Sequence, residues 1–310
     1  MELNCVSISL GSSARNKSIS FEVSKVRVNV CRFGVNGDFL VFAKLVESLQ
    51  DGSVDSIGFG GIDLVLFLGD KFFFVKDAYK VYSKSTKVPI VDGSITKRIL
   101  EKMVVQKLID DGVISYTDRV FLVSCLDRFE ILRVLIQNKI RFLIGDLVFS
   151  LGVNKVLESV EDLESIAYVL LKDVLNLPFE FIYPVGSKQN REDLKICDIV
   201  SNYDFDVIVG DFHYIRKVLR LLKGKLVVTN TVTLEDIEDM KSVGVRGVIS
   251  MGICLSNRSF GANVLDCIFA AYCNKIKGVK ISPFDFRFED YLEFVRDFLG
   301  IKDFAGNRIV

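Results

Sequence analysis

The chain has 310 residues, half of them hydrophobic and about a quarter charged. That length suits two ordinary domains or one large one, with apolar material enough for a full core. Its 40 basic residues balance 40 acidic ones, so no basic field exists to draw nucleic acid or an anionic membrane surface.

No apolar run approaches the roughly 20 residues that span a bilayer. The N-terminus, MELNCVSISL, has no basic segment and starts directly as a strand, so no signal peptide is expected. The seven cysteines, at 5, 31, 125, 197, 254, 267 and 273, form no CxxC pair, and His213 is the one histidine. A Cys/His metal site is therefore not expected. Cysteines inside apolar runs behave as small buried hydrophobes, and a reducing cytoplasm is the expected setting.

In chain order, 6–10 reads as a strand ending in the small-residue turn 11–13. Residues 20–30 alternate as one or two strands. Apolar positions 39, 42, 45, 46 and 49 mark a helical stripe. Residues 62–68, Gly69-Asp70 and 71–75 read as a β-hairpin. After a short strand at 88–91, Ser94 is expected to cap a helix running to about 109. From residue 116 strand and helix alternate. Strands are expected at 119–124, 141–144, 207–210, 225–229 and 246–250, and helices at 129–137, 160–175, 214–222, 234–243 and 261–275. Ser159 with Asp162, and Thr233, supply N-caps. Residues 176–195 are irregular, and a last amphipathic helix falls at about 288–299. Unalternated Val/Ile/Leu strands spaced by helices predict a parallel sheet buried on both faces. The expected fold is α/β, a doubly wound Rossmann-like parallel sheet plus an N-terminal α/β domain. The expected divisions are 1–115, an N-terminal α/β substrate domain; 116–275, the Rossmann-like domain; and 276–310, a helical tail packing back on the body.

Three loops could carry chemistry. The stretch 119–146 has the layout of a dinucleotide-binding βαβ unit, with Asp146 placed 21 residues after Cys125, where an acidic residue takes ribose hydroxyls. Its loop, CLDRFE, has no glycine to admit a pyrophosphate. Asp127 would repel one and Arg128 attract one; the plain alternative is a scaffold with Asp146 capping a turn. The strand ends gather Ser124, Asp146, Asp211, Asn230, Thr231 and Ser250. Asp211 with His213 could make an acid/base pair, or His213 could simply begin a helix. In the first domain, 11–15 (GSSAR) resembles an anion nest. Asp92, Ser94 and Lys97 could grip a polyol, or form a capped turn.

The segments SISLGSS (7–13), GFGGIDL (58–64), VDGS (91–94), LDRFE (126–130), IGDLVFSLG (144–152), YPVGSKQ (183–189), VGDFHYIRK (209–217), VTNTVTLED (228–236) and RSFGANVLD (258–266) together resemble a bacterial family labelled quinate 5-dehydrogenase. Residues 205–233 also look like the second half of a nicotinamide-binding domain, as in methylene-tetrahydrofolate and shikimate-type dehydrogenases. The resemblance implies an NAD(P)-dependent oxidoreductase acting on a small polyhydroxy acid, with NAD, or else NADP, across the second sheet. Asp146 would take the adenosine ribose, Ser124 and Arg128 would lie at the pyrophosphate, and Asn230 and Thr231 would flank the nicotinamide. The lysine motif of shikimate-type enzymes is absent, so Lys97 with Asp92 is taken as its stand-in.

Two competing readings use the same crevice. One is a non-catalytic small-molecule-binding protein on a Rossmann-like scaffold with a degenerate phosphate loop. The other is a non-redox enzyme using Asp211 and His213. The expected partner is a small-molecule ligand, with neither nucleic acid nor membrane; formation of a homodimer stays open.

Overall fold

The computed structural model describes residues 1–85, 87–178, 192–255, 258–301 and 306–309. The segment YPVGSKQ and most of the stretch expected to be irregular lie outside the described residues. The fold is mixed α/β, built on two largely parallel sheets.

The first sheet contains β1 (Glu2–Ser9), β2 (Lys17–Val23), β3 (Val26–Gly34), β4 (Ser56–Gly60) and β7 (Ile90–Val91), in the order β2-β3-β1-β4-β7. Only β2 is antiparallel to its neighbour. Ser24 and Lys25, both at positive φ, make the tight turn between β2 and β3; that geometry suits the twist of a two-residue hairpin. Helix α1 (Phe39–Ser48) begins at Asp38, whose carboxylate accepts from Val41 N. The expected hairpin is present as β5 (Val65–Leu68) and β6 (Lys71–Phe74), followed by α2 (Lys76–Tyr82). Next comes α3, which runs Ser94–Thr96, takes a π turn over Lys97–Glu101 and continues over Lys102–Asp110.

The second sheet contains β8 (Arg119–Leu122), β9 (Arg141–Ile144), β10 (Val207–Gly210), β11 (Leu226–Thr229), β12 (Gly247–Ser250) and, from the tail, β15 (Asn307–Arg308). Their order is β9-β8-β10-β11-β12-β15, all parallel except β15. The short pair β13 (Cys254–Leu255) and β14 (Arg258–Ser259) stands apart. Around this sheet lie α4 (Phe129–Gln137), α5 (Asp146–Leu151), α6 (Val160–Val174), α7 (Leu194–Val200), α8 (Phe212–Ile215) and α9 (Leu234–Val243). The central strands β10, β11 and β12 are buried at every position, as unalternated apolar runs require. The parallel strands of both sheets follow one pattern: the second in sequence flanks the first, and the third lies on the first strand's other side.

Helix α10 (Ala262–Tyr272), expected within 116–275, packs against β1 and β4 of the first sheet. Ser56 Oγ donates to Cys267 O at 2.6 Å, and every residue from Val264 to Tyr272 is buried. This near-complete apolarity is the physical reason: the helix needs cover on all sides, and the first sheet supplies it. The tail continues with α11 (Phe288–Glu293), whose Tyr291 ring meets Phe269 of α10 edge-on at 5.0 Å, before β15 returns to the second sheet.

Close approach of α10 explains Gly58. A Cβ there would sit 2.6 Å from Asn263 O. Gly58→Ala is expected to push helix and strand apart at a cost of about 1–3 kcal/mol; an unchanged thermal unfolding midpoint would count against this packing account.

Candidate functional site

Parallel strands end in loops at one edge of a sheet, and ligands bind outside those carboxyl ends where the connections diverge. In this chain the divergence falls between β1 and β4 in one domain and between β8 and β10 in the other. The two edges face each other. Between them lies a cavity of about 630 Å³, lined from the first domain by Ser9, Asp63 and Lys97 among others, and from the second by Asp127, Asp211 and His213.

The sequence-predicted residues Asp92, Lys97, Ser124, Asp146, Asp211, His213, Asn230 and Thr231 all line this cavity. Arg128 lies behind it, with its side chain fully buried. Their roles differ from those expected.

Asp146 is occupied by backbone. Its two carboxylate oxygens accept from Cys125 N at 2.7 Å and Leu126 N at 2.9 Å. Those are the amides a pyrophosphate would need. Burial pushes the Asp146 carboxyl up to about 6, against the pull of the same amides. Asp92 is occupied likewise: it accepts from Leu64 N at 2.7 Å, Val65 N at 3.1 Å and Ser94 N at 3.1 Å. The turn before α3 is closed by Gly93 at φ +97°, and the Ser94 side chain makes no cap. Asp266 of α10 serves instead, accepting from Ile95 N at 2.9 Å and Thr96 N at 2.8 Å. Asp211 caps α8 by accepting from His213 N at 2.9 Å. In the first domain the amides of Gly11, Ser13 and Ala14 are taken by Ser9, Asn36 and Ser12 side chains. The expected nest at 11–15 is therefore not open. At each of these termini an internal side chain fills the place an anionic ligand would take.

The loop CLDRFE becomes intelligible against α3. Lys97 Nζ pairs with Asp127, and with Asp63 Oδ1 at 2.6 Å. Arg128 Nε pairs with Glu101 Oε2 at 2.8 Å, and its Nη1 with Asp127. Lys102 Nζ meets Glu130 Oε2 at 3.0 Å. Lys97, Glu101 and Lys102 lie on one helix, and Asp127, Arg128 and Glu130 offer the opposite signs in matching order. The loop is thus a plug of crossed ion pairs holding the two domains together. Burial opposes the charge on Lys97, but Asp127 and Asp63 outweigh it and hold the ammonium protonated, which leaves Lys97 unfit as the base expected from the sequence. Burial and Asp127 push Asp63 up to about 7, against the pull of Lys97.

Asp211 and His213 do not form an acid/base pair through the ring. The Asp211 carboxylate meets the His213 backbone, while Asn230 Nδ2 donates to Asp211 Oδ2 at 2.7 Å. The His213 ring instead lies across the cavity, with Nε2 3.5 Å from Arg15 Nη1. Burial raises the Asp211 pKa, but His213 and Arg128 outweigh it and hold the carboxyl below its ordinary value. Asn230 is spent orienting Asp211. Thr231 lines the wall.

Sequence reasoning missed Asp63 and Arg32. Asp63 had a signal, a lone charge in an otherwise apolar run. Arg32 sits near the end of β3, and nothing local in the sequence shows that its guanidinium turns into the cavity.

A family profile described as a domain of unknown function (DUF8754) matches residues 95–298. The chain belongs to that family. A second profile, also a domain of unknown function (DUF8753), matches residues 4–92. No curated protein matches the sequence. Among solved structures, a galactofuranose binding protein is similar at 11% identity and a TM-score of 0.38, covering 93% of this chain and 97% of that one. A periplasmic solute binding protein of an ABC transporter from Actinobacillus succinogenes 130z, with bound D-allose, matches at 10% identity and a TM-score of 0.40, covering 91% and 93%. The periplasmic binding protein of the arabinose ABC transporter from Shewanella sp. ANA-3 matches at 12% identity and a TM-score of 0.38, covering 91% and 88%. At these scores the likeness is one of general layout and transfers no residue role to this chain.

The resemblance to quinate 5-dehydrogenases is corrected by the family profiles: those that match, over 4–92 and 95–298, are domains of unknown function and not that family. The reading as a quinate- or shikimate-type NAD(P) oxidoreductase falls with it. The geometry agrees, because the residues of loop 124–130 do not fit a pyrophosphate: Asp146 holds its amides, and Glu101 and Asp127 hold its arginine. Among the described residues, no helix is long and apolar enough to cross a membrane, and no group of three or more His, Cys, Asp or Glu is placed for a metal.

Proposed function

We propose that this protein binds a small molecule, without transforming it, in the cavity between its two α/β domains. The observation that carries this reading is the 630 Å³ space at the facing carboxyl edges of two parallel sheets. Its size lies within the range of small-molecule sites. Its walls combine apolar side chains such as Phe59, Leu126 and Phe212 with convergent polar ones, Asp211 foremost. The strand order in both domains supports a doubly wound, broadly Rossmann-like reading of the sheets, for which a crevice at the divergence point is the expected ligand site.

A thermal-shift screen of small metabolites tests the proposal. A binder is expected to raise the melting temperature, because any ligand selective for the folded state stabilises it. Asp211→Asn keeps an α8 cap and removes the charge; it is expected to weaken that binder about tenfold, roughly 1.4 kcal/mol. A screen in which no metabolite stabilises the protein overturns the reading. We infer further that neither NAD nor NADP occupies the crevice, since its amides are internally satisfied; heat of binding at millimolar nucleotide in calorimetry would refute this.

A further inference from the structure

The cavity's cations fall into two kinds. Lys97 is held by Asp63 and Asp127, and Arg128, behind the cavity, by Glu101 and Asp127 with Asp211 at 4.0 Å. Arg15, Lys17 and Arg32 also line the cavity, yet among the described residues none of the three has a carboxylate within ion-pair distance. Arg32 is half-buried. Burial and the charge of Arg15 lower its pKa, and no acid offsets them. A half-buried cation without a carboxylate partner, beside a second cation, is disfavoured unless something completes it.

Arg32 is also held ready. Its Nη1 donates to Ser12 O at 3.1 Å and its Nη2 to Ser9 Oγ at 3.1 Å. That uses two of the five guanidinium donors and fixes the plane of the rest. Gly11 makes room: a Cβ there would lie 3.1 Å from Arg32 Nη2. Arg15 reaches from the first domain to within 3.5 Å of the His213 ring of the second. Two basic groups meeting across a cleft are an arrangement an oxyanion completes, and guanidinium forks match carboxylate and phosphate geometry.

We propose that the ligand is a small molecule bearing a carboxylate or phosphate, which Arg32 and Arg15 grip from the first domain and His213 meets from the second, leaving its polar remainder toward Asp211. The proposal rests on the cavity being a ligand site. The internal capping of the nearby amides sharpens it: recognition runs through guanidinium side chains rather than a backbone cradle. It also couples binding to domain approach, since the oxyanion bridges both walls.

Sodium phosphate, sodium acetate and sodium chloride are compared at equal ionic strength by melting temperature and by calorimetric titration, using the full chain, Arg15→Gln and Arg15→Gln/Arg32→Gln. Arg15 is exposed, and among the described residues its side chain makes no bond to its own domain, so Arg15→Gln folds even if Arg32→Gln disturbs the Ser9–Ser12 turn. The expected result is saturable stabilisation by phosphate, acetate or both beyond chloride, weakened at least fivefold in Arg15→Gln and abolished in the double variant. Phosphate alone acting assigns a phosphorylated ligand; acetate alone, a carboxylate. Two results overturn the proposal: neither anion exceeding chloride, or stabilisation that persists in both variants. A neutral metabolite that binds and loses affinity in Asp211→Asn, while both anions fail, refutes the oxyanion and leaves the binding-protein reading standing.

Discussion

Replacing Asp266 by Ala is expected to cost about 3 kcal/mol of stability at neutral pH, one of the two largest single-residue losses in the molecule. Asp266 is completely buried. It accepts from Ile95 N, Thr96 N and, at 2.6 Å, Thr96 Oγ1, which in turn lies 2.5 Å from Tyr291 OH. Alanine would leave the first turn of α3 with buried donors unmet, each worth about 1–3 kcal/mol. The loss should also depend on pH. Burial raises the Asp266 carboxyl to about 7, against the pull of Thr96, whereas in the unfolded chain it titrates near its ordinary value of about 4. A raised acid contributes stability that is fully present below the unfolded pKa and is lost as pH climbs to the folded one. The wild-type protein therefore loses on the order of 3 kcal/mol from this group between about pH 4 and pH 7, and the cost of Asp266→Ala is larger at pH 5 than at pH 8. Urea denaturation of both proteins at the two pH values checks the sign. The same difference at both would refute the buried-acid account.

Arg128→Ala is expected to cost about 3–5 kcal/mol. The change strips the partner from Glu101, itself only 2% exposed, and an uncompensated buried charge carries a penalty of that size. The cost comes from the carboxylate left behind rather than from the worth of the pair. Arg128→Met combined with Glu101→Leu should therefore recover most of the loss, since apolar replacement of a buried pair is often neutral. A double-mutant cycle by chemical denaturation measures this. If Arg128→Ala costs less than about 1 kcal/mol, the crossed pairs between α3 and loop 124–130 do not hold the domains together. The remaining guanidinium nitrogen makes the residue more telling. Arg128 Nη2 is buried without a hydrogen-bond partner and lies 4.0 Å from Asp211 Oδ2. The plug therefore ends beside the residue proposed to meet the ligand.

Much of the architecture was legible from periodicity. The alternating strands and helices after residue 116, the Gly69-Asp70 hairpin and the Thr233 cap all depend on neighbours within a few positions, and local rules read such neighbours well. The capping box at Thr233, with Asp236 returning to the Thr233 backbone, is an instance. The destination of α10 was not legible. A helix apolar on all sides announces burial but not against which sheet, and here the partner lies some two hundred residues away in sequence. Loop 124–130 misled for the same reason. Asp127, Arg128 and Glu130 looked like a damaged phosphate loop because their partners, Lys97, Glu101 and Lys102, belong to another domain. The rule about strand ends brings Ser124, Asp146, Asp211, Asn230 and Thr231 to one cavity, without Ser250. What each carboxylate does there was not legible, because one at a strand end looks the same in sequence whether it faces a ligand or plugs an amide.

The placement of α10 has a consequence for the protein during synthesis. The strands of the first sheet leave the ribosome early, yet the helix that covers their apolar face is made only after nearly the whole second domain. Until then Cys5, Ser56 and Gly58, which lie against α10, belong to a sheet missing part of its cover, and uncovered sheet faces are prone to aggregate. A nascent chain halted before residue 262 should be a better substrate for chaperones than the finished protein. An expressed fragment ending near residue 115 should be insoluble, however complete it looks as a stretch of sequence.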